Sequence, residues 1–208
     1  KHYRKDNNNK LSGLVITADP AGTLDTPFDP DTTEYTYTVG PDTPAITVTG
    51  TPAGNAQVTG DGTFDPTTTD KIEVVVTPEE GEPKTYTINV VRNKSTDVTL
   101  DELSVAEGTI TPSYADNVDA YSVTVSSDVD QVNVTATPHD PRTNASVSGN
   151  TNLQTGDNPI TVTVTPESGD ADKRVITINV HKKNTDATLS SLSLDNVTLE
   201  PTFDPSIT

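Results

Sequence analysis

No cysteine, methionine or tryptophan occurs anywhere in the sequence, and aromatic residues fill only 4% of its 208 positions. Without cysteine there is no disulfide framework, so whatever folds here rests on its hydrophobic core alone. Positive charge is scarce too: 13 Lys and Arg stand against 31 Asp and Glu, a formal net charge of −18. Such a surface repels nucleic acid and anionic lipid, both polyanions, and removes them as partners. No run approaches the roughly eighteen consecutive apolar residues of a membrane helix, so no membrane insertion is expected of this segment. No leader peptide heads the sequence, but a chain that opens without methionine reads as a processed or excised piece, and the missing leader then says nothing of compartment.

Apolar residues are also few, at 30%, which raises the question of disorder. The pattern of those that are present answers it. Val, Ile and Thr alternate in "AITVTGT" (Ala45 to Thr51), "VNVTAT" (Val132 to Thr137) and "ITVTVT" (Ile160 to Thr165). Disordered chains are poor in β-branched residues and have no reason to keep a period of two; these are strands with one buried face. Pro (16) and Gly (12) punctuate them at short intervals, and no helical periodicity competes. The chain reads as all-β.

The strongest signal is internal repetition. "LSGLVI", "LDELSV" and "LSSLSL" open at Leu11, Leu100 and Leu189, each 89 residues after the last. Tyr35 in "YTYTV" returns as Tyr121 in "YSVTV", "VTPEEG" at Val76 as "VTPESG" at Val164, and "YTINV" at Tyr86 as "ITINV" at Ile176. The spacing drifts between 86 and 90 because the first copy carries extra residues at "TADPAG", where a loop absorbs them. The divisions are therefore 1–10, the tail of a preceding repeat or linker; 11–95, repeat 1; 96–185, repeat 2; and 186–208, the truncated start of a third. In that third copy Phe203 matches Phe28 and Leu199 matches Leu24. A piece so short cannot bury Leu192, Leu194, Leu199 and Phe203 by itself, so either the rest of its repeat or the open sandwich of another subunit is expected to cover it.

Within a repeat the predicted strands are Leu11 to Thr17, a short extended piece at Leu24, Glu34 to Val39, Ala45 to Thr51, a weak strand at Gln57 to Thr59, then Lys71 to Thr77 and Lys84 to Val91. Repeat 2 matches them with Leu100 to Val105, Ile110, Ala120 to Val125, Gln131 to Thr137, Ser146 to Ser148, Pro159 to Thr165 and Arg174 to Val180. Six or seven short strands closed by turns at intervals of about eight to twelve residues mark a Greek-key sandwich. Alternation assigns Leu14, Ile16, Tyr35, Val39, Ile46, Val48, Val74, Val76, Ile88 and Val90 to the first core. It assigns Leu103, Val105, Tyr121, Val125, Val132, Val134, Val162, Val164, Ile176 and Ile178 to the second.

The L-x-x-L-x-(V/I/L) opening, "FDPDTTEYTYTV", the "ITVTGTP" strand and the closing "VVVTPEEGEPKTYTINVVR" together resemble the bacterial cadherin-like β-sandwich repeat. The likeness runs from Leu11 to about Arg92, from Leu100 to about Lys182, and into the start of the third copy. It implies tandem immunoglobulin/cadherin-like sandwiches of secreted and cell-surface proteins, with no shared catalytic residues. The calcium motifs of animal cadherins, D-x-N-D-N and L-D-R-E, are not present.

Candidate chemistry is thin. His139 adjoins Asp140 in "PHDPR", but neighbours along a chain seldom face each other, and a loop is the simpler reading; His2 and His181 fall at polar strand ends. There is no G-x-S-x-G, no nucleophile with a base and no H-E-x-x-H, so no catalytic residue, no enzyme activity and no cofactor are assigned. The closest carboxylate clusters are Asp29 with Asp31, Asp61 with Asp65, and Asp170 with Asp172, while Asp6, Asp97 and Asp186 recur at the repeat junctions. None supplies the spacing that a Ca²⁺ loop of about six to eight oxygens needs, so they read as turn caps and no metal ligand is assigned. Tyr37 and Phe64 are aromatic residues of repeat 1 with no counterpart in repeat 2, and are the candidates for a sugar-stacking platform. Asn89 and Asn179 recur in the last strand but point outward by parity, against a Lys–Asn cross-link. Asn93, Asn133, Asn144 and Asn196 lie in N-x-[ST] sequons.

The expected function is structural: a stalk, a surface-layer or filament component, or an adhesin shaft, extracellular and at a bacterial cell surface, where cysteine-free repeats are at home. Expected partners are neighbouring repeats or identical subunits, with cell-wall glycan or a host surface as further possibilities. The alternative is an interaction module in which these domains themselves bind a carbohydrate or a protein.

Overall fold

The computed structural model describes residues 2–185. The chain divides into two compact units, one ending at Ser95 and the other beginning at Thr96. In unit 1, β1 (Leu11–Ala18), β4 (Ile46–Pro52) and β6 (Gly62–Phe64) form one sheet. The second sheet has the order β2-β3-β8-β7-β5, from β2 (Thr23–Leu24), β3 (Glu34–Val39), β5 (Gln57–Thr59), β7 (Lys71–Thr77) and β8 (Lys84–Arg92). In unit 2, β9 (Leu100–Val105) pairs with β11 (Val134–Pro138). The facing sheet runs β10-β14-β13-β12, from β10 (Ala120–Val125), β12 (Asn144–Ser148), β13 (Gly156–Thr165) and β14 (Arg174–Lys182).

Every strand pair is antiparallel but one in each unit: β3 lies parallel to β8, Glu34 beside Thr87 through Val39 beside Arg92, and β10 lies parallel to β14. The last strand of each unit is thus clasped between its antiparallel hairpin partner and an early strand running the same way.

Alternation sets the cores. Tyr35, Tyr37 and Val39 of β3, Ile72, Val74 and Val76 of β7, and Tyr86, Ile88 and Val90 of β8 face Leu11, Leu14, Ile46 and Val48 of the other sheet, all buried. Unit 2 repeats the arrangement with Tyr121, Val123, Val125, Ile160, Val162, Val164, Ile176, Ile178 and Val180 against Leu100, Leu103 and Val105. Each such aliphatic side chain contributes about 1.5–3 kcal/mol by leaving water, which is how so lean a composition still folds. Of the residues assigned to the cores, only Ile16 and Val134 are half-buried, at the margins of their clusters.

Several details depart from the sequence reading. β6 and a single 3-10 turn at Asp170–Asp172 were not expected. β11 starts at Val134 rather than Gln131, although Val132 is buried and its N–H reaches Asn150. Ile110 lies in no strand; its neighbour Thr111 makes an isolated bridge to Ser122 where unit 1 has β2. β13 begins at Gly156 and runs through Pro159, which is tolerated because β12 ends opposite Thr161, so the missing N–H faces no ladder partner. Gly60 and Gly149 hold the same place after β5 and β12 with φ of 85° and 83°. A Cβ on Gly60 would stand 2.0 Å from the Glu73 carbonyl oxygen, so that turn admits only glycine.

Candidate functional site

The polar side chains with the richest contacts cluster where loops close each sandwich. Tyr35 is buried, and its phenol donates to the Asp29 carbonyl (2.8 Å) while accepting the Asp29 N–H (3.0 Å). Tyr121 does the same in unit 2, with the Ala115 carbonyl and N–H at 3.1 and 3.2 Å and the Val118 carbonyl at 2.9 Å. A buried phenol must find such partners, and here it clamps the loop that precedes its own strand.

A second hydroxyl receives the N–H of each opening strand, but from different elements. In unit 1 Tyr86 of β8 accepts from Leu11 N–H at 3.1 Å and donates to the Pro30 carbonyl at 2.6 Å. In unit 2 Tyr114, in the loop before β10, accepts from Leu100 N–H at 2.9 Å, and Ile176 stands where Tyr86 was. Phe28 holds Tyr114's place in unit 1. A cation from the first position of the last strand covers whichever tyrosine is used: Lys84 lies 5.4 Å from the Tyr86 ring centre and Arg174 5.7 Å from that of Tyr114. Arg174 is half-buried and also bonds Asp119 (2.7 Å), the Val118 carbonyl and the Tyr114 hydroxyl. Burial works against its charge, yet the bonds to Asp119 and Tyr114 outweigh that and hold its pKa above the usual value. Burial also raises the Tyr114 phenol, helped by its bond to Asp116. The exchange of Phe28/Tyr86 for Tyr114/Ile176 was in the sequence, but its meaning depends on the two positions converging in space.

The clustered carboxylates are taken up within the chain, some as turn caps and some by more distant N–H groups or by lysines. Asp29 accepts Asp31 N–H, Asp61 accepts Gly50 N–H, Asp65 accepts Thr67 N–H and hydroxyl, and Asp97 accepts Thr99 N–H and hydroxyl. Asp6 accepts the N–H groups of Asn55 and Asn8, bonds that hold its carboxyl below the ordinary range. Asp31 pairs with Lys10 and Asp170 with Lys173, while Asp172 lies in the 3-10 turn. Among the described residues no three metal-ligating side chains converge; Asp186 lies outside them.

His139 turns away from Asp140. Its Nδ1 meets Asp101 of β9 at 2.7 Å, and that hydrogen bond raises its pKa. Asp140 is buried and takes both ends of the Arg142 guanidinium, itself 3.7 Å from Glu167. His181 meets Asp157 at 2.8 Å, and Lys182, also buried, reaches Asp130 at 2.7 Å. These are strand-end ion pairs, with no hydroxyl nucleophile bonded to either imidazole among the described residues.

The aromatic platform does not form. Tyr37 is buried and its hydroxyl accepts Gly22 N–H, which leaves the half-buried Phe64 without an aromatic partner for stacking. The exposed aromatic side chain among the described residues is Tyr3, whose hydroxyl is held by Glu79 at 2.7 Å. Residues 2–10 form no strand; Asp6 N–H and Asn9 tie that segment to Glu79 and the Glu82 carbonyl of unit 1. Of the sequons, Asn133 spends its amide on Glu107, and Asn196 lies outside the described residues.

Two-layer sandwiches closed by tyrosine clamps, twice in succession, define a tandem β-sandwich module of the immunoglobulin-like type. The cadherin-like beta sandwich domain family matches residues 11–93 and 96–183, and the chain belongs to it. Domains of this family are typically extracellular and non-enzymatic, and no helix among the described residues is long and apolar enough to cross a membrane. No curated protein matches the sequence. Among solved structures, murine CEACAM1b is similar at 14% identity over 82% of this chain and 99% of its own, with a TM-score of 0.29. The fibronectin(III)-like modules of Clostridium thermocellum CbhA are similar at 12% identity over 78% of this chain and 94% of theirs, with a TM-score of 0.23. Likeness at that level carries nothing further.

Proposed function

We propose that the chain is a load-bearing spacer of a bacterial surface or secreted protein: a segment of a stalk, surface layer, filament or adhesin shaft. The observation that carries this reading is the parallel clasp of β3 on β8 and of β10 on β14. Tension transmitted along the chain enters unit 1 at the amino end of β1, which pairs with β4, and leaves β8 at its carboxyl end; once β1 and β2 give way it reaches the amino end of β3. Parallel neighbours pulled at opposite ends slide past each other, so the rungs between them are loaded together in shear rather than in succession. The two family matches leave only Lys94 and Ser95 between them, which suits transmission of load from one unit to the next.

The second reading is an interaction module that binds glycan or protein. A screen of the intact chain against immobilised cell-wall polysaccharides and host glycans separates the two. The spacer reading expects no saturable binding, and a saturable isotherm on any glycan that survives high salt would replace it with the second.

A further inference from the structure

β1 is an edge strand. It pairs with β4 on one side and, among the described residues, with no strand on the other. Natural sheets guard such edges with charges, prolines or bulges, because unpaired N–H and C=O groups template further strands. From Leu11 to Ala18 the strand carries no charge and no proline, and its irregularity between Leu11 and Gly13 leaves Gly13 to Ala18 in regular register. Val15 stands outward at the middle, 57% exposed. The equivalent strand of unit 2 has the same unpaired edge but carries Asp101 and Glu102, both exposed. One fold thus shows the same edge twice, guarded in one copy and bare in the other.

We infer that the β1 edge is a self-association site, where a second copy of this chain adds its own β1 antiparallel to the first. A second copy fits better than a foreign strand because β1 is complementary to itself. Antiparallel pairing about Val15 places Val15 opposite Val15 on the two-fold axis. It places Gly13 opposite Thr17 on the outer face, and Leu14 opposite Ile16 on the side of the cores. From Gly13 to Thr17 inward residues meet inward residues, as a continuous sheet requires. The strand is flanked by one charge of each sign: Lys10, whose ammonium is held by Asp31 of its own chain, precedes it and Asp19 follows it. β1 itself carries no charge, so in a chain of net charge −18 the two paired strands set no acid against acid. So short a ladder is weak singly and gains strength where many chains stand side by side. The inference is independent of the load-bearing reading.

Sedimentation velocity of the intact chain, over a series reaching about 1 mM, the range of weak specific contacts, tests it. A reversible dimer is expected. Its Kd rises at least tenfold in Val15→Lys, which sets two ammonium groups face to face, and stays unchanged in Val175→Lys, at another exposed valine. Because the native chain has no cysteine, Val15→Cys is a second probe. With oxidised glutathione, two such chains lose their thiol protons and two electrons to form one intermolecular disulfide, releasing two reduced glutathiones, whereas Val175→Cys does not form the dimer. A monomer at every concentration overturns the proposal and leaves the edge to a foreign strand or to none. A dimer that Val15→Lys does not weaken, or that Val15→Cys does not trap, places association elsewhere and overturns it equally.

Discussion

Replacing Tyr86 by Phe removes one oxygen and nothing else, at a place where that oxygen has two buried duties. Leu11 is fully buried and its N–H has the Tyr86 hydroxyl as acceptor; the Pro30 carbonyl loses a donor at 2.6 Å. A buried donor left unsatisfied costs about 1–3 kcal/mol, while Pro30 still receives the Lys84 ammonium at 3.2 Å. A loss near 2 kcal/mol from a unit of this size lowers its midpoint by about 8–16 °C. Differential scanning calorimetry is expected to show that fall in the transition of unit 1 alone, with unit 2 as internal control. The sharper test transplants unit 2's solution: Tyr86→Ile is expected to destabilise more than Tyr86→Phe, and Phe28→Tyr added to Tyr86→Ile to recover most of the loss, because it supplies the hydroxyl as Tyr114 does. An unchanged midpoint in Tyr86→Phe, or a double variant no more stable than Tyr86→Ile, would refute the reasoning.

Three further outcomes are expected. The His139 imidazole titrates above its unfolded value because Asp101 binds its charged form. Its small contribution to stability is therefore fully present below pH of about 6.5 and lost as pH rises through the folded pKa; NMR titration should show a raised midpoint that Asp101→Asn brings back down. EDTA should leave both thermal midpoints unchanged, since the clustered aspartates are held by N–H groups and lysines of the chain itself, and a fall of several degrees would reveal a bound cation. Gly60→Ala should destabilise unit 1 by more than about 1 kcal/mol, because its Cβ would overlap the Glu73 carbonyl at a φ of 85°; urea denaturation measures it.

Much of this molecule was legible in the sequence because β-sandwiches write their cores at period two. Tyr35, Val39, Ile88 and Val90 could be assigned from alternation alone, and the recurring phrases carried the first three into the second unit as Tyr121, Val125 and Ile178, while Val180, the buried counterpart of Val90, was missed. Tyr37 shows how a comparison of repeats can mislead: it lacks an aromatic counterpart because Val123 fills the matching position, yet it shares the buried face of Tyr35. What alternation cannot give is who pairs with whom. The parallel clasp of β3 on β8, the bare edge of β1 and the meeting of Phe28 with Tyr86 all depend on contacts distant in sequence. Two strands with identical patterns can sit at a centre or at an edge. The turn caps were foreseeable as a class, since Asp and Asn next to Thr or Pro favour them, but the partner of His139 was not: Asp101 lies across a strand pair.

The load-bearing role is tested most directly by pulling one unit in two directions. Cysteines placed at Glu34 and Val91, both exposed, anchor β3 at its start and β8 near its end and load their six parallel rungs in shear. Cysteines at Lys71 and Val91 instead hold the open end of the β7–β8 hairpin, whose antiparallel rungs then unzip in succession. In single-molecule force spectroscopy on the same sandwich, the Glu34–Val91 geometry is expected to withstand several-fold more force than the Lys71–Val91 geometry. Equal rupture forces would mean that the parallel clasp resists nothing in particular, and would contradict a spacer built to carry load.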